Sequence, residues 1–255
     1  MQYDLTRPNS GRMIDYWLGG SHNFEIDRQL ARQMEKITVT REAAVTGRAL
    51  TGRAVRYFYA HGIRVMLDFG AALPTCENTH VVAHKIDPHV KVVYSDVDPV
   101  TVAYAQEILG GISNVIFMEA NAATPRSVLD APATVKLIGG ERQVGLVFHS
   151  LAHLLDDEQL RSAAQAVYEW AAPGSYLSLS TLGGPSWSTN ESLNTAAAVY
   201  ARSGIQGYFR LAEETLALVS PWQVTAEGIA DNFDWGLGTP SNLPYDFGYS
   251  MMLCK

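Results

Sequence analysis

Over the first sixty residues, apolar positions recur with a helical period. Residues 13–18 and 26–37 read as two helices, separated by Gly19-Gly20-Ser21-His22-Asn23. A third helix is predicted over 41–61, with Arg41, Arg48, Arg53 and Arg56 opposite its apolar side and Gly62 at its end. The rhythm then changes. Short runs rich in β-branched or aromatic residues, at 64–69, 91–95, 115–118, 144–148 and 175–180, read as strands. Helices are predicted between them at 77–86, 99–109 and 156–171, the second with Asp98 as N-cap and Pro99 at its first position. After Ser180 the alternation loosens. Residues 191–202 and 212–219 read as helices, and 223–228 with 247–254 as a final strand pair closing the sheet edge. Strands alternating with helices imply right-handed βαβ units. The predicted fold is α/β and Rossmann-like, with a mostly parallel seven-stranded sheet.

A chain of 255 residues suits one large α/β domain or a domain with an appended lid. Its formal net charge of −7 repels phosphate backbones and anionic lipid, so neither nucleic acid nor a membrane is the expected partner. Residues 1–10 are polar and include Asp4, unlike a signal peptide, and the longest apolar run is broken by His149, Ser150 and His153. Cys76 and Cys254 form no metal-ligand spacing. A cytoplasmic protein with reduced thiols and no metal site is expected.

The chemistry concentrates in one constellation: a strand, a small-residue turn, a helix, a second strand and an acid. It reads Val65-Met66-Leu67-Asp68-Phe69-Gly70-Ala71-Ala72-Leu73-Pro74-Thr75, then Val92-Val93-Tyr94-Ser95-Asp96-Val97-Asp98-Pro99. In an open parallel sheet, ligands bind beyond the carboxyl ends of the strands. Gly70, Ala71 and Ala72 let backbone approach a ligand there, and Asp96 can accept hydrogen bonds from both ribose hydroxyls. A dinucleotide wants G-x-G-x-x-G for its pyrophosphate. Here the later glycines are missing and Leu73-Pro74-Thr75 fills the phosphate position. An adenosyl sulfonium, which has no phosphate, fits better than a nicotinamide dinucleotide. An ordinary tight turn is the bland alternative.

At the end of the third strand, Asn121 is either a reader of the adenine amino group or a turn asparagine, with Ala122 beside it. Beyond the fourth strand, His149 and Ser150 should line the cofactor side. His153 is a candidate general base or a hydrogen-bonded core histidine.

The leader Met13-Ile14-Asp15-Tyr16-Trp17-Leu18-Gly19-Gly20-Ser21-His22-Asn23-Phe24, taken with these two segments, resembles a bacterial S-adenosyl methyltransferase family long catalogued as a domain of unknown function. Its signature, Asp-Tyr-x-Leu-Gly-Gly-x-x-Asn-Phe, is met from Asp15 to Phe24, and the resemblance covers about residues 7–182 well. It implies a class I methyltransferase in one globular domain. Residues 1–62 would be a helical lid, 63–255 the core and 183–245 an acceptor-side insert. Asp68, Gly70, Asp96, Val97, Asn121 and the His149 segment would surround S-adenosyl-L-methionine, with Tyr16 and Asn23 closing its methionine end. Gly20, Ala71, Ala72, Thr75, Ala122 and Ser150 complete that expected set.

This chain departs from the family pattern in three places. Ala72 replaces a second glycine, Asn121 replaces an acid, and Ser21-His22 replaces a lysine-aspartate pair.

The implied activity is methyl transfer to a small molecule or peptide in secondary metabolism, with His153, His22 and Tyr16 as catalytic candidates. Its rivals are a non-methylating S-adenosylmethionine-binding protein and an NAD-dependent oxidoreductase. Trp187, Tyr200, Tyr208, Phe209, Trp222, Phe233 and Trp235 make 183–245 aromatic, either as core or as an apolar acceptor pocket. The Gly/Pro/Asn-rich stretch 231–245 is the expected mobile or substrate-facing loop. A homodimer is one assembly such a domain can form.

Overall fold

The computed structural model describes residues 5–75 and 77–255, so Asp4 and Cys76 lie outside the described residues. Its leader forms three helices. Asn9 caps the first by accepting a hydrogen bond from Arg12 N at 3.1 Å, so α1 (Ser10–Trp17) begins three residues before the predicted start. The Asp27 carboxylate accepts from Phe24 N and starts α2 (Glu25–Glu35). The third helix, α3 (Thr40–Ala60), buries Leu50, Ala54, Val55 and Phe58 against Met66, Val92 and Val147 of the sheet. Burying a Phe58-sized side chain contributes about 1.5–3 kcal/mol. This helix is therefore a layer of the core, whereas α1 and α2 pack through Met13, Trp17, Leu30 and Met34 onto Ala196 and Val199.

Strands and helices then alternate: β1 (Val65–Phe69), α4 (Thr79–Ile86), β2 (Lys91–Asp96), α5 (Pro99–Ile108) and β3 (Val115–Glu119). Two short helices, α6 (Arg126–Leu129) and α7 (Pro132–Ile138), precede β4 (Gly145–Phe148), α8 (Asp157–Trp170) and β5 (Tyr176–Leu182). The chain closes with α9 (Ser186–Thr189), α10 (Glu191–Arg202), α11 (Ala212–Val219), β6 (Gln223–Asp231) and β7 (Gly248–Cys254).

The seven strands lie in the order β3-β2-β1-β4-β5-β7-β6. Pairs from β3 through β5 are parallel, but β7 runs antiparallel to both β5 and β6. The sheet is therefore mixed, which corrects the mostly parallel expectation. The reason is local: no crossover helix separates β6 from β7, so the chain turns back through 232–247 and β7 slots in reversed.

Period-two alternation sends Leu67, Phe69, Leu146 and Phe148 to one face, against Leu160, Ala164 and Val167 of α8. Met66, Val92 and Val147 go to the other face, under α3 and α4. The chain leaves β1 for β2 on one side and returns to β4 on the other, so a crevice opens beyond the carboxyl ends of β1 and β4. Among the described residues, no helix is long and apolar enough to cross a membrane.

Candidate active site

The turn after β1 is built for close approach. Gly70 has φ +63° and Ala72 φ +54°, so an alanine occupies the left-handed region where glycine is strain-free. The strain has a purpose. Held this way, Ala72 N donates to Asp96 Oδ2 at 3.0 Å, while Asp98 N donates to Oδ1 at 2.9 Å. Each carboxylate oxygen keeps a lone pair for a further donor. Burial pushes the Asp96 pKa up to about 6, although hydrogen bonds from Asp98 and Ala72 work against it.

A cavity of about 280 Å³ lies over this carboxylate. Gly70, Ala72, Asp96, Val97, Asn121, Ala122, His149 and Ser150 all line it. Asn9, Ser10, Gly11 and Ile14 close it from α1, a contribution the sequence reading missed. Gly11 permits this contact: a Cβ there would come within 3.0 Å of the Ala72 Cβ. Asn121 Oδ1 already accepts from Ala123 N at 2.9 Å, so the residue is a turn asparagine that also faces the cavity.

A second cavity, about 60 Å³, continues from Gly70, Ala72, His149 and Ser150 toward Asp68, Ala71, Arg48 and Thr51. Asp68 accepts from Thr79 Oγ1 at 2.6 Å. Burial raises its pKa to about 6 despite that bond and the charge of Arg48. His149 is saturated, with Nδ1 3.0 Å from Thr51 Oγ1 and Nε2 2.8 Å from Ser178 Oγ. Burial, with Arg48 and Arg53 nearby, holds its pKa down at about 3, so it stays neutral.

The third cavity, about 80 Å³, is apolar and aromatic, with Trp17, Tyr200, Phe209, Phe233 and Phe247 in its wall. The C-terminal aromatics thus divide between cavity wall and core. Trp187 stacks on Phe209 at 3.7 Å and supports it from the core, and Trp222 and Trp235 are buried. The 231–245 stretch is pinned rather than loose at its start: Arg53 Nε donates to Trp235 O at 2.7 Å, and Phe233 faces the cavity. Ile14 and Ser150 line all three cavities. Ser150 adopts φ +51° and donates its backbone N–H to Ser180 Oγ.

His153 lines the third cavity, but not as a base. Leu182 N donates to its Nδ1 at 3.3 Å, which leaves the ring proton on Nε2. Burial, and next the charge of Arg210, press its pKa down to about 3. With Nδ1 so engaged, the neutral imidazole presents Nε2 as a hydrogen-bond donor.

The leader signature serves a different purpose from the expected one. Tyr16, Gly20, His22, Asn23 and Thr75 line none of these three cavities. They surround Asp15, whose carboxylate accepts from Thr75 Oγ1 at 2.8 Å, His22 N at 2.9 Å and Asn23 Nδ2 at 2.8 Å. Tyr16 lies under the Arg41 guanidinium, and the His22 ring meets Tyr104 edge-on. The signature is thus a knot that ties α1 and its following turn to the β1–α4 loop. A Cβ on Gly20 would fall 2.0 Å from Asp15 Oδ1. Gly20→Ala should therefore cost about 2–3 kcal/mol, read as a lowered thermal midpoint. An unchanged midpoint would show that the knot contributes nothing.

A switch-point crevice with a small-residue turn and a buried acid at the end of β2 is an arrangement that the α/β methyltransferase fold also presents. This class is borne out by comparison. The chain belongs to the S-adenosyl methyltransferase family, whose model matches residues 1–246. It is similar to a solved Thermobifida fusca YX protein assigned as a methyltransferase, with 27% identity, TM-score 0.90, and coverage of 99% of this chain and 96% of that one. A DUF574 family protein from Streptomyces avermitilis MA-4680 shares the fold over the full length of both chains, at 24% identity and TM-score 0.88. Human N-acetylserotonin methyltransferase, solved with S-adenosylmethionine, matches at 13% identity and TM-score 0.52, over 98% of this chain and 63% of that one. No curated protein matches the sequence. The protein is an S-adenosylmethionine-dependent methyltransferase, and the nicotinamide alternative is set aside.

Proposed function

We propose that this chain methylates a small molecule whose apolar body is seated among Phe209, Phe233 and Phe247, with the reacting centre beside Ile14 and Ser150. One observation carries the reading: these two residues alone line all three cavities, so a bound nucleoside and an apolar acceptor would meet there. The residues present fit the cofactor. Asp96 offers one lone pair on each oxygen to a ribose diol, Val97 and Ala122 flank the base, and Asp68 with Arg48 borders the methionine end. S-adenosylmethionine supplies a methyl group on a sulfonium with a good thioether leaving group.

The protein's share is alignment and exclusion of water. Ser150 is fixed in its left-handed turn by Ser180, and α1 covers the cavity through Ser10, Gly11 and Ile14, acting as the lid. A cavity of about 80 Å³ favours a small molecule over a peptide. Asp15, Gly20, Asn23 and Thr75 position that lid rather than touch the cofactor.

Isothermal titration with S-adenosylhomocysteine tests the cofactor site, and transfer of an isotopically labelled methyl group tests the reaction. Absence of saturable binding would sink the assignment. Ionised Asp96 accepts ribose hydroxyls better than the protonated acid does, and its pKa stands at about 6. Affinity should therefore be level above pH 7 and roughly tenfold weaker at pH 5. A flat profile from pH 5 to 7.5 would remove Asp96 from the ribose.

A further inference from the structure

Besides the hydroxyls of Ser10, Ser150 and Tyr200, the acceptor cavity carries three polar groups able to donate to a ligand. His153 Nε2 bears the ring proton, because Nδ1 accepts from Leu182 N at 3.3 Å. Trp17 and Thr40 also line the cavity, and Trp17 Nε1 and Thr40 Oγ1 are buried without a hydrogen-bond partner. An indole N–H and a protonated Nε2 can only donate, and a hydroxyl can donate. No Asp, Glu, Lys or Arg stands among the described residues of the cavity wall. Buried donors left unmet are costly, and an anion is the ligand that satisfies several at once.

We infer that the acceptor is a small single-ring acid that enters already ionised and presents an oxyanion, a carboxylate or phenolate, to His153, Trp17 and Thr40. This inference rests on the methyl-transfer reading above and adds the substrate class. The cavity holds no base to remove a proton, so the nucleophile must arrive without one. It holds no cation either, so the only positive partner is the sulfonium of the loaded cofactor. The acceptor oxygen supplies the electron pair of the new O–C bond, and the C–S bond leaves its pair on sulfur. An ester or ether and a neutral thioether result. No proton moves, and one negative and one positive charge disappear together. In a dry site walled by Phe209, Phe233 and Phe247, loss of opposite charges is favoured over keeping them apart. A protonated amine would face the sulfonium's like charge and find no carboxylate. The cavity, about 80 Å³, is smaller than the ~150 Å³ that admits benzene elsewhere, so one ring fits only with a small outward shift of Ile14 and Trp17.

The test is calorimetric binding of benzoate, benzamide and benzylamine to protein saturated with S-adenosylhomocysteine, or with sinefungin, which places an ammonium near the sulfonium position. Benzoate should bind the sinefungin-loaded protein about tenfold tighter than the S-adenosylhomocysteine-loaded one, and tighter than benzamide. Benzylamine should show the reverse preference. His153→Phe, and independently Trp17→Phe, should each weaken benzoate about fivefold, with S-adenosylhomocysteine titration as the check that the cofactor cavity is intact. Equal binding of the three probes, no benzoate binding, or insensitivity to the analogue's charge would overturn the inference. Failure of S-adenosylhomocysteine itself to bind would overturn the function reading as well.

Discussion

Asp96→Asn is expected to weaken S-adenosylhomocysteine binding at least about a hundredfold while leaving the apo fold close to its original stability at pH 7.5. The binding loss follows from geometry. Ala72 N and Asp98 N occupy one lone pair on each oxygen of a carboxylate that lines the cavity, which leaves one on each for a ligand. Two charge-assisted hydrogen bonds to a diol are worth about 1.5–3 kcal/mol each, and an amide can match at most one.

The stability result follows from burial. The folded pKa of about 6 lies above the ordinary carboxyl value of about 3.9. Stability from this group is therefore present below pH ~4 and lost as the pH rises through 6, after which the buried anion costs about 3 kcal/mol. The asparagine removes that cost and forfeits one hydrogen bond to Ala72 N or Asp98 N, worth about 1–3 kcal/mol. The two changes nearly cancel. Titration calorimetry and thermal unfolding at pH 5 and 7.5 measure both halves. Between those pH values the wild type should lose more stability than the variant, though Asp68, also raised to about 6, leaves a shared slope. Less than a tenfold loss of affinity would place the ribose elsewhere.

What the sequence makes legible here depends on how local the cause is. β1 to β5 stand out because β-branched runs alternate with capped helices, and Asp98-Pro99 marks the start of α5 within the segment itself. Helix α7 was missed, although Pro132 at its first turn and Gly139 in the left-handed region at its end are ordinary boundary signals. The start of α1 was likewise written in Asn9. By contrast, α6 and α9 have four residues each, too few for a period to register.

The sheet side of the 280 Å³ cavity follows from strand ends, where the sequence already places a crevice. The leader side, Asn9 to Ile14, depends on how α1 docks and was not anticipated. The tautomer of His153 is set by Leu182, a neighbour only because β5 pairs beside β4. Spacing along the chain carries no trace of it. Thr75, His22 and Asn23 satisfy Asp15 of the leader, a set of contacts that spacing along the chain does not announce.

Arg12→Met should produce the largest loss of stability of any change outside the cavities, about 3–5 kcal/mol, or very roughly 6–20 °C in thermal midpoint. The Arg12 side chain is 2% exposed and donates through Nε to Asp27 Oδ2 at 2.9 Å, through Nη1 to Asp98 Oδ2 at 2.9 Å and through Nη2 to Arg7 O at 3.0 Å. Asp27 is fully buried and holds Asn9 N and Phe24 N with the same carboxylate, so without Arg12 a buried anion stands uncompensated. Arg12→Met with Asp27→Asn should recover part of the loss, giving a coupling well above that of independent sites. Asp98 caps α5 through Thr101 N and sends its own N–H to Asp96 Oδ1. The guanidinium therefore joins α1 to Asp96 through a single residue. If that chain of contacts transmits, S-adenosylhomocysteine affinity should fall about three- to tenfold in Arg12→Met at a temperature where the variant is fully folded. A lowered midpoint with wild-type affinity would make Arg12 a strut for the leader alone. A weakened affinity would mean that closure of α1 and grip on the ribose are set by one buried ion pair.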